Sequence, residues 1–231
     1  MALIEIEGLY KSYNRTVALR DLGLSLDGGQ IVGLLGPNGS GKTTLIKIIN
    51  DLLKTDKGKV LIDGKKPGVE TKEIIAYLPD RNTLPDYMKI KDLIGMQADF
   101  FRDFDAAKAN SMISDLGIDT NMRFKSLSKG MGEKVQLALV MSRKAKVYLL
   151  DEPIGGVDPA ARDYILRTII SNCNPDSLVI ISTHLIQEIE SVLDDVLFIR
   201  DGQIVLHKSP DQIREESGKG VDELFREVFK C

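Results

Sequence analysis

The stretch Ile31-Val32-Gly33-Leu34-Leu35 and the loop that follows it constrain this chain most. The loop reads Gly36, Pro37, Asn38, Gly39, Ser40, Gly41, Lys42, Thr43, Thr44. It fits GxxxxGK(S/T) over residues 36–43, the phosphate-binding P-loop pattern. The apolar run before it predicts a buried strand. Leu45, Ile46, Ile49, Leu52 and Leu53 recur behind it at helical spacing. Glycines let successive backbone N–H groups turn toward one anion. The helix beginning near Lys42 aims its positive dipole end at the same point. Lys42 supplies a mobile cation for terminal phosphates, and Thr43 a hydroxyl that can ligate Mg²⁺. Strand, loop and helix together predict binding of a nucleoside triphosphate.

The remaining question is what such binding drives. The chain has 231 residues, enough for one large domain or two small ones. Its 31 Lys and Arg against 34 Asp and Glu give a formal charge of −3, which argues against a coat for nucleic acid. Apolar runs such as residues 178–181 fall far short of the roughly 20 residues of a membrane span. Glu5 and Glu7 stand where a signal peptide needs basic and apolar residues. The expectation is a soluble, cytoplasmic chain. Cys173 and Cys231 show neither metal spacing nor a disulfide framework, and both are expected to be incidental.

Along the chain, Ile4 and Ile6 alternate with Leu3, Glu5 and Glu7, as in a half-buried strand over 3–9. Residues 10–14 are expected to turn, and 17–19 and 22–26 to form two short strands of an antiparallel sheet. Residues 59–62 and 74–78 also read as strands, separated by Asp63-Gly64. From residue 84 the spacing becomes helical, through Leu93, Ile94, Met96, Phe100 and Phe101 and then 106–116. A further helix follows Ser128. The apolar run 147–150 predicts a central parallel strand. Asp158-Pro159 predicts a helix start, and 178–182 another buried strand. Leu185, Ile186, Ile189, Val192 and Leu193 mark a helix face. Asp201-Gly202 between two apolar runs predicts a hairpin. The segment 220–230 is an amphipathic helix whose apolar face packs on the body or makes a subunit contact.

The run 147–150 ends in Asp151-Glu152. A P-loop fold places its second Mg²⁺ carboxylate there, and Asp151 fits. Glu152, one residue on, can orient or deprotonate a water. His184 ends the next apolar run, in Ser182-Thr183-His184, where open α/β sheets bind ligands. A contact with the γ-phosphate is the expectation for it.

With these residues in order, the sequence resembles the ATP-binding subunit of an ABC transporter over essentially its whole length. Leu127-Ser128-Lys129-Gly130-Met131 looks like the family signature, usually written LSGGQ. Ser128 and Gly130 match, and Lys129 and Met131 depart in the manner of the exporter branch. Gly155-Gly156-Val157-Asp158 resembles the D-loop, His184 the switch histidine, and Tyr13 the aromatic that stacks on adenine.

The resemblance implies an α/β P-loop NTPase body with a mainly parallel central sheet, an N-terminal antiparallel β subdomain and an inserted α-helical subdomain near 84–140. All of it would be one domain over 1–231. ATP and Mg²⁺ are the implied cofactors. Tyr13, residues 36–44, Ser128, Gly130 and Asp158 would bind the nucleotide. Thr43, Asp80 and Asp151 would serve the metal, and Glu152 and His184 would act in catalysis. Serine hydroxyl, backbone amides and helix start at Ser128 would cradle the ATP held by another subunit. The implied assembly is a head-to-tail ATP-bound dimer, homomeric or heteromeric. It would sit on the inner face of the cell membrane and power a separate integral-membrane permease. The helical insert and residues 80–88 would face that permease. Export is the implied direction, from the signature variant and the lack of a C-terminal regulatory domain. No nucleic acid is expected. The alternative is a non-transport ABC ATPase acting on nucleic acid or ribosomes, whose relatives carry coiled coils, zinc modules or fused second units. One departure stands out: the family's Q-loop glutamine should follow Pro79, and Asp80 stands there.

Overall fold

Alternating apolar residues at the N-terminus open an antiparallel sheet. The computed structural model describes residues 2–230, so Cys231 lies outside the described residues. Strand β1 (Ile4–Tyr13) pairs with β2 (Thr16–Leu26) on one side and β4 (Lys57–Ile62) on the other. Two expectations are corrected here. Residues 10–13 continue the strand, because their neighbour is held: Asp56 accepts hydrogen bonds from Lys11, from the Ser12 amide and from the Ser12 hydroxyl. The two short strands expected in 17–26 are one strand, interrupted by a register shift that Asp21 takes up at φ 46°.

The second sheet carries the order β5 (Ile75–Leu78), β6 (Val147–Asp151), β7 (Leu178–Thr183), β3 (Gln30–Leu35), β8 (Asp195–Arg200), β9 (Gln203–Lys208). All its pairings are parallel except β8 with β9. β6 and β7 are buried at every position, as a sheet covered on both faces requires. The expected hairpin is present, turning through Asp201 at φ 50° and Gly202 at φ 79°. The body is therefore the mainly parallel α/β fold that was expected.

Helix α1 (Lys42–Ile49) is shorter than the apolar spacing suggested. Asn50 ends it, Asp51 turns at φ 53°, and Leu52 is exposed to solvent. Helix α2 (Val69–Ile74) occupies residues expected as loop and strand start.

Helices α3 (Ile90–Phe100), α4 (Ala106–Asp115) and α5 (Lys129–Met141) share a core of Ile90, Leu93, Ile113, Val135 and Leu139. Arg143, just past α5, joins this helical part to the sheet. It is 4% exposed, donates to Asp103 at 2.9 Å and to the carbonyls of Ile75 at 2.5 Å and Glu73 at 2.6 Å, and lies 3.9 Å from the Phe101 ring centroid. A buried guanidinium is tolerable only with such complete pairing.

Helix α6 (Pro159–Asn172) starts as expected: Asp158 accepts from the Ala161 amide at 3.0 Å, and Pro159 occupies the first turn. Its C-cap Cys173 is partly buried, which pushes the thiol up to about 12. Helix α7 (Ile186–Ile189) follows His184 for a single turn and passes into a 3₁₀ turn. Helix α8 (Pro210–Ser217) escapes the sequence analysis, because only Pro210 and Ile213 are buried along it. Helix α9 (Val221–Phe229) packs on the body: Phe225 meets Phe198 of β8 edge-on at 5.4 Å, and Phe229 stacks beside both. Each such aromatic pair contributes about 0.5–1.5 kcal/mol beyond area burial. Among the described residues no helix is long and apolar enough to cross a membrane.

Candidate functional site

Strand β3 delivers the glycine loop to the carboxyl end of the parallel sheet, and α1 leaves from it. Backbone crowding dictates two of its glycines. A Cβ on Gly36 would meet the Ile199 carbonyl oxygen at 2.5 Å. Gly41 sits at φ 112°, and a Cβ there would strike the Ala18 carbonyl oxygen at 2.6 Å. The loop is thus clamped between β2 and β8. Ser40 is buried inside it, and its hydroxyl has no hydrogen-bond partner among the described residues.

Lys42 is buried over this loop. Its ammonium donates to the carbonyls of Gly36 at 2.7 Å and Pro37 at 3.2 Å and lies 3.6 Å from Glu152 Oε1. Burial pulls its pKa below the usual lysine range, outweighing the opposing pull of Glu152 and Asp151. An ammonium so desolvated gains from any further anion brought to it.

Asp151 ends β6 and is 1% exposed. Its Oδ1 accepts from the Thr43 hydroxyl at 3.2 Å and from the Ser182 hydroxyl at 2.5 Å. Its Oδ2 is buried with no hydrogen-bond partner among the described residues. An unsatisfied buried carboxylate oxygen is costly in a folded chain unless a cation or donor is meant to reach it. The Thr43 hydroxyl and Asp151 carboxylate are hard oxygen donors of the kind Mg²⁺ takes. Among the described residues no group of three or more His, Cys, Asp and Glu could hold a metal ion, so such an ion would need phosphate oxygens as well.

Glu152 turns away from the strand at φ 52°, a left-handed value uncommon outside glycine. Its amide is held by the Ser182 carbonyl at 3.0 Å and the Ser182 hydroxyl at 3.1 Å. Gly155 lies against it, since a Cβ there would come within 3.2 Å of the Glu152 carbonyl oxygen. The carboxylate reaches between two partners, Lys42 on one side and His184 Nδ1 at 3.1 Å on the other. Ser182, which sequence analysis did not single out, therefore fixes both acids at once. Its signal was its place beside Thr183 and His184 at a strand end.

Asn38, Gly39, Gly41, Lys42, Thr43, Thr44, Asp80, Glu152 and His184 line one cleft of about 550 Å³, together with Ala18, Gly155 and Gly156. Asp80 is exposed there, and burial together with the charges of Asp151 and Asp80 pushes the nearby Tyr77 hydroxyl up to about 12. Gly36, Pro37, Ser40 and Asp151 belong to the same loop and strand end without lining the cleft, and four further expected residues stand elsewhere. Tyr13 is 46% exposed near the β1–β2 turn and does not line the cleft. Asp158 uses its carboxylate as the α6 cap. Ser128 caps α5, accepting from the Met131 amide at 3.3 Å, and lines an adjoining groove of about 620 Å³ that shares Asp80, Glu152 and Gly155 with the cleft. Gly130 is in the first turn of that helix with open space around it.

The stretch that holds the glycine loop and the acid pair falls within a match to a known family. A family profile described as ABC transporter matches residues 19–155. The chain belongs to the ABC transporter family. The ABC transporter ATP-binding protein YtrB of Bacillus subtilis is 30% identical over 217 residues, covering 93% of this chain and 74% of that protein. The SkfA peptide export ATP-binding protein SkfE of the same organism is 29% identical over 226 residues, covering 94% of this chain and 93% of its own. A solved structure of the ATP-binding subunit of an ABC transporter superposes with a TM-score of 0.87 at 26% identity, covering 98% of this chain and 99% of that one. The cleft is thus carried on the fold of an ATP-binding cassette.

Proposed function

We propose that the chain hydrolyses ATP with Mg²⁺ as one half of a head-to-tail dimer and so drives a separate membrane permease, as an exporter. One observation carries the reading. Glu152 stands between the buried Lys42 ammonium at 3.6 Å and the His184 ring at 3.1 Å, beside a carboxylate oxygen of Asp151 that no group among the described residues satisfies. Charge for binding phosphate and a base for water meet in one cleft.

The glycine loop amides and Lys42 bind the phosphates, with Lys42 exchanging its loop carbonyls for phosphate oxygens. Thr43 and Asp151, with Asp80 as a further oxygen donor, would hold Mg²⁺, which would supply neutralisation of charge on the phosphate oxygens. Glu152 orients the attacking water and takes its proton, a role typically worth 10²–10⁴-fold in rate. His184 meets the Glu152 carboxylate through Nδ1 and reaches toward the γ-phosphate with the other side of its ring. Tyr13 stacks on the base.

Ser128 and Gly130 lie outside the cleft of their own chain, which supports their serving a partner's nucleotide, with Asp158 as a further contact. Two copies of this chain, or this chain and a close relative, satisfy that geometry. The helical part near 84–140, within one domain over 1–231, and residues 80–88 form the permease-facing side. The relative named for peptide export supports the direction. Purification from membranes tests the whole: the tagged chain should bring down a multi-span membrane protein and show Mg²⁺-dependent ATPase activity. Recovery with ribosomes or nucleic acid in place of a membrane protein would overturn the transport role.

A further inference from the structure

Arg162 lies in the first turns of α6, about 22% exposed, outside the cleft. Its side chain makes two contacts in different directions. Nε donates to the Val157 carbonyl oxygen at 3.2 Å, and one terminal nitrogen donates to Glu188 Oε1 at 2.8 Å. Val157 closes the turn that begins at Glu152, where the Gly155 amide donates back to the Glu152 carbonyl at 3.0 Å. Glu188 belongs to α7, the turn of helix that follows His184. The contacts therefore form a closed circuit. It runs from the Glu152 carboxylate to the His184 ring, along α7 to Glu188, through Arg162 to Val157, and back along residues 153–156 to Glu152.

We infer that Arg162 is a positioning residue for hydrolysis: its planar fork ties the 152–157 turn to α7 and so holds Glu152 and His184 at hydrogen-bond distance. The inference rests on Glu152 and His184 being the hydrolytic pair, as proposed above. Three features favour this over an ordinary surface ion pair. Glu152 is at φ 52°, so its backbone needs outside support to keep that conformation. Helix α7 is one turn long and its N-cap Leu185 has no side-chain cap, so it is held by its neighbours. The apolar side of the same junction, Val157, Ala161, Ile165, Ile186 and Ile189, belongs to one buried core, so the two arms that Arg162 ties also pack on shared apolar side chains. A guanidinium can serve a carboxylate and a carbonyl at once because its donors are fixed in one plane; an ammonium on a flexible stem is a point charge.

The test compares Arg162→Lys, Arg162→Met and Glu188→Gln in the full chain, by steady-state ATPase kinetics, nucleotide titration and hydrogen exchange. Misplacing a reacting group by about 1 Å costs up to roughly a hundredfold in rate. All three variants should lower kcat by about tenfold or more, with KM and Kd for ATP within about twofold of the parent. Exchange in segments 152–157 and 184–189 should rise together, with no nucleotide present. Arg162→Lys is decisive, because it keeps the charge opposite Glu188 and loses the fork. Restored kcat in Arg162→Lys would make the pair merely a stabilising ion pair and overturn the inference. So would unchanged exchange in either segment. If Arg162→Met fails to fold, Arg162→Lys and Glu188→Gln still decide. Normal turnover by Glu152→Gln would instead refute the hydrolytic pair itself, an outcome read separately from the exchange data.

Discussion

Replacing Lys42 by methionine separates what the buried ammonium does for the fold from what it does for the ligand. In the structure the ammonium has two carbonyl partners and a carboxylate 3.6 Å away, yet burial still lowers its pKa. Methionine fills a similar volume and removes both the charged hydrogen bonds and the desolvation that opposes them, so the nucleotide-free fold should change by about 1–2 kcal/mol or less. ATP binding loses a charge-assisted contact of about 1.5–3 kcal/mol, a tenfold to hundredfold rise in Kd. At ATP equal to about 100 times the parent Kd, ligand stabilisation is about 2.7 kcal/mol, and it falls to about 0.4–1.4 kcal/mol in the variant. With roughly 2–4 °C per kcal/mol for a chain of this size, the ATP-induced rise in Tm should drop from about 5–11 °C to about 1–6 °C. The pH dependence has a defined sign. The folded pKa lies below the ordinary 10.5, so the cost of burying the charge is fully present below the folded value and is relieved as pH rises toward 10.5. The parent should therefore gain stability relative to Lys42→Met as pH climbs from neutral toward 10. Calorimetric titration and thermal melts measure both effects. An unchanged Kd in Lys42→Met would refute the phosphate role of the loop.

Asp80→Ala should raise the Mg²⁺ concentration for half-maximal hydrolysis by about tenfold, while metal-free nucleotide affinity holds or improves as a negative charge leaves the cleft; Asp80→Gln should restore much of the Mg²⁺ response. Identical Mg²⁺ curves for Asp80→Ala and the parent would move Asp80 to the permease contact. Gly41→Ala should destabilise by about 2–4 kcal/mol in urea, from left-handed strain plus a Cβ 2.6 Å from the Ala18 oxygen. Gly39→Ala, at φ 82° in open space, should lose only about 1–2 kcal/mol; equal losses would show that the β2 clamp on the loop is not real.

What could be read from the sequence was chemistry written as consecutive residues. The glycine loop, Asp151-Glu152 and His184 each sit at the end of an apolar strand, and parallel pairing brings β3, β6 and β7 side by side. Features made by distant residues were not readable. Arg143 looks like an ordinary polar helix end until Asp103 and three carbonyls surround it. Arg162 and Glu188 are 26 residues apart, and the buried Ser182 hydroxyl meets both the Asp151 carboxylate and the Glu152 amide. Local polarity misled at residues 10–13, where Asp56 makes strand out of an apparent turn. Apolar spacing misled at Leu52, beyond the true end of α1. Helix α8 carries too little apolar surface for periodicity to reveal it.

In the proposed dimer two chains share each nucleotide, one giving the glycine loop and Glu152, the other Ser128. Glu152→Gln keeps shape and removes basicity, so it should bind ATP, stall before hydrolysis and accumulate in the joined state. Light scattering after size exclusion, with saturating ATP and Mg²⁺, should report twice the mass of one chain for Glu152→Gln and a single chain for Glu152→Gln with Ser128→Arg. A single-chain mass for Glu152→Gln, or a dimer that survives Ser128→Arg, would contradict the account.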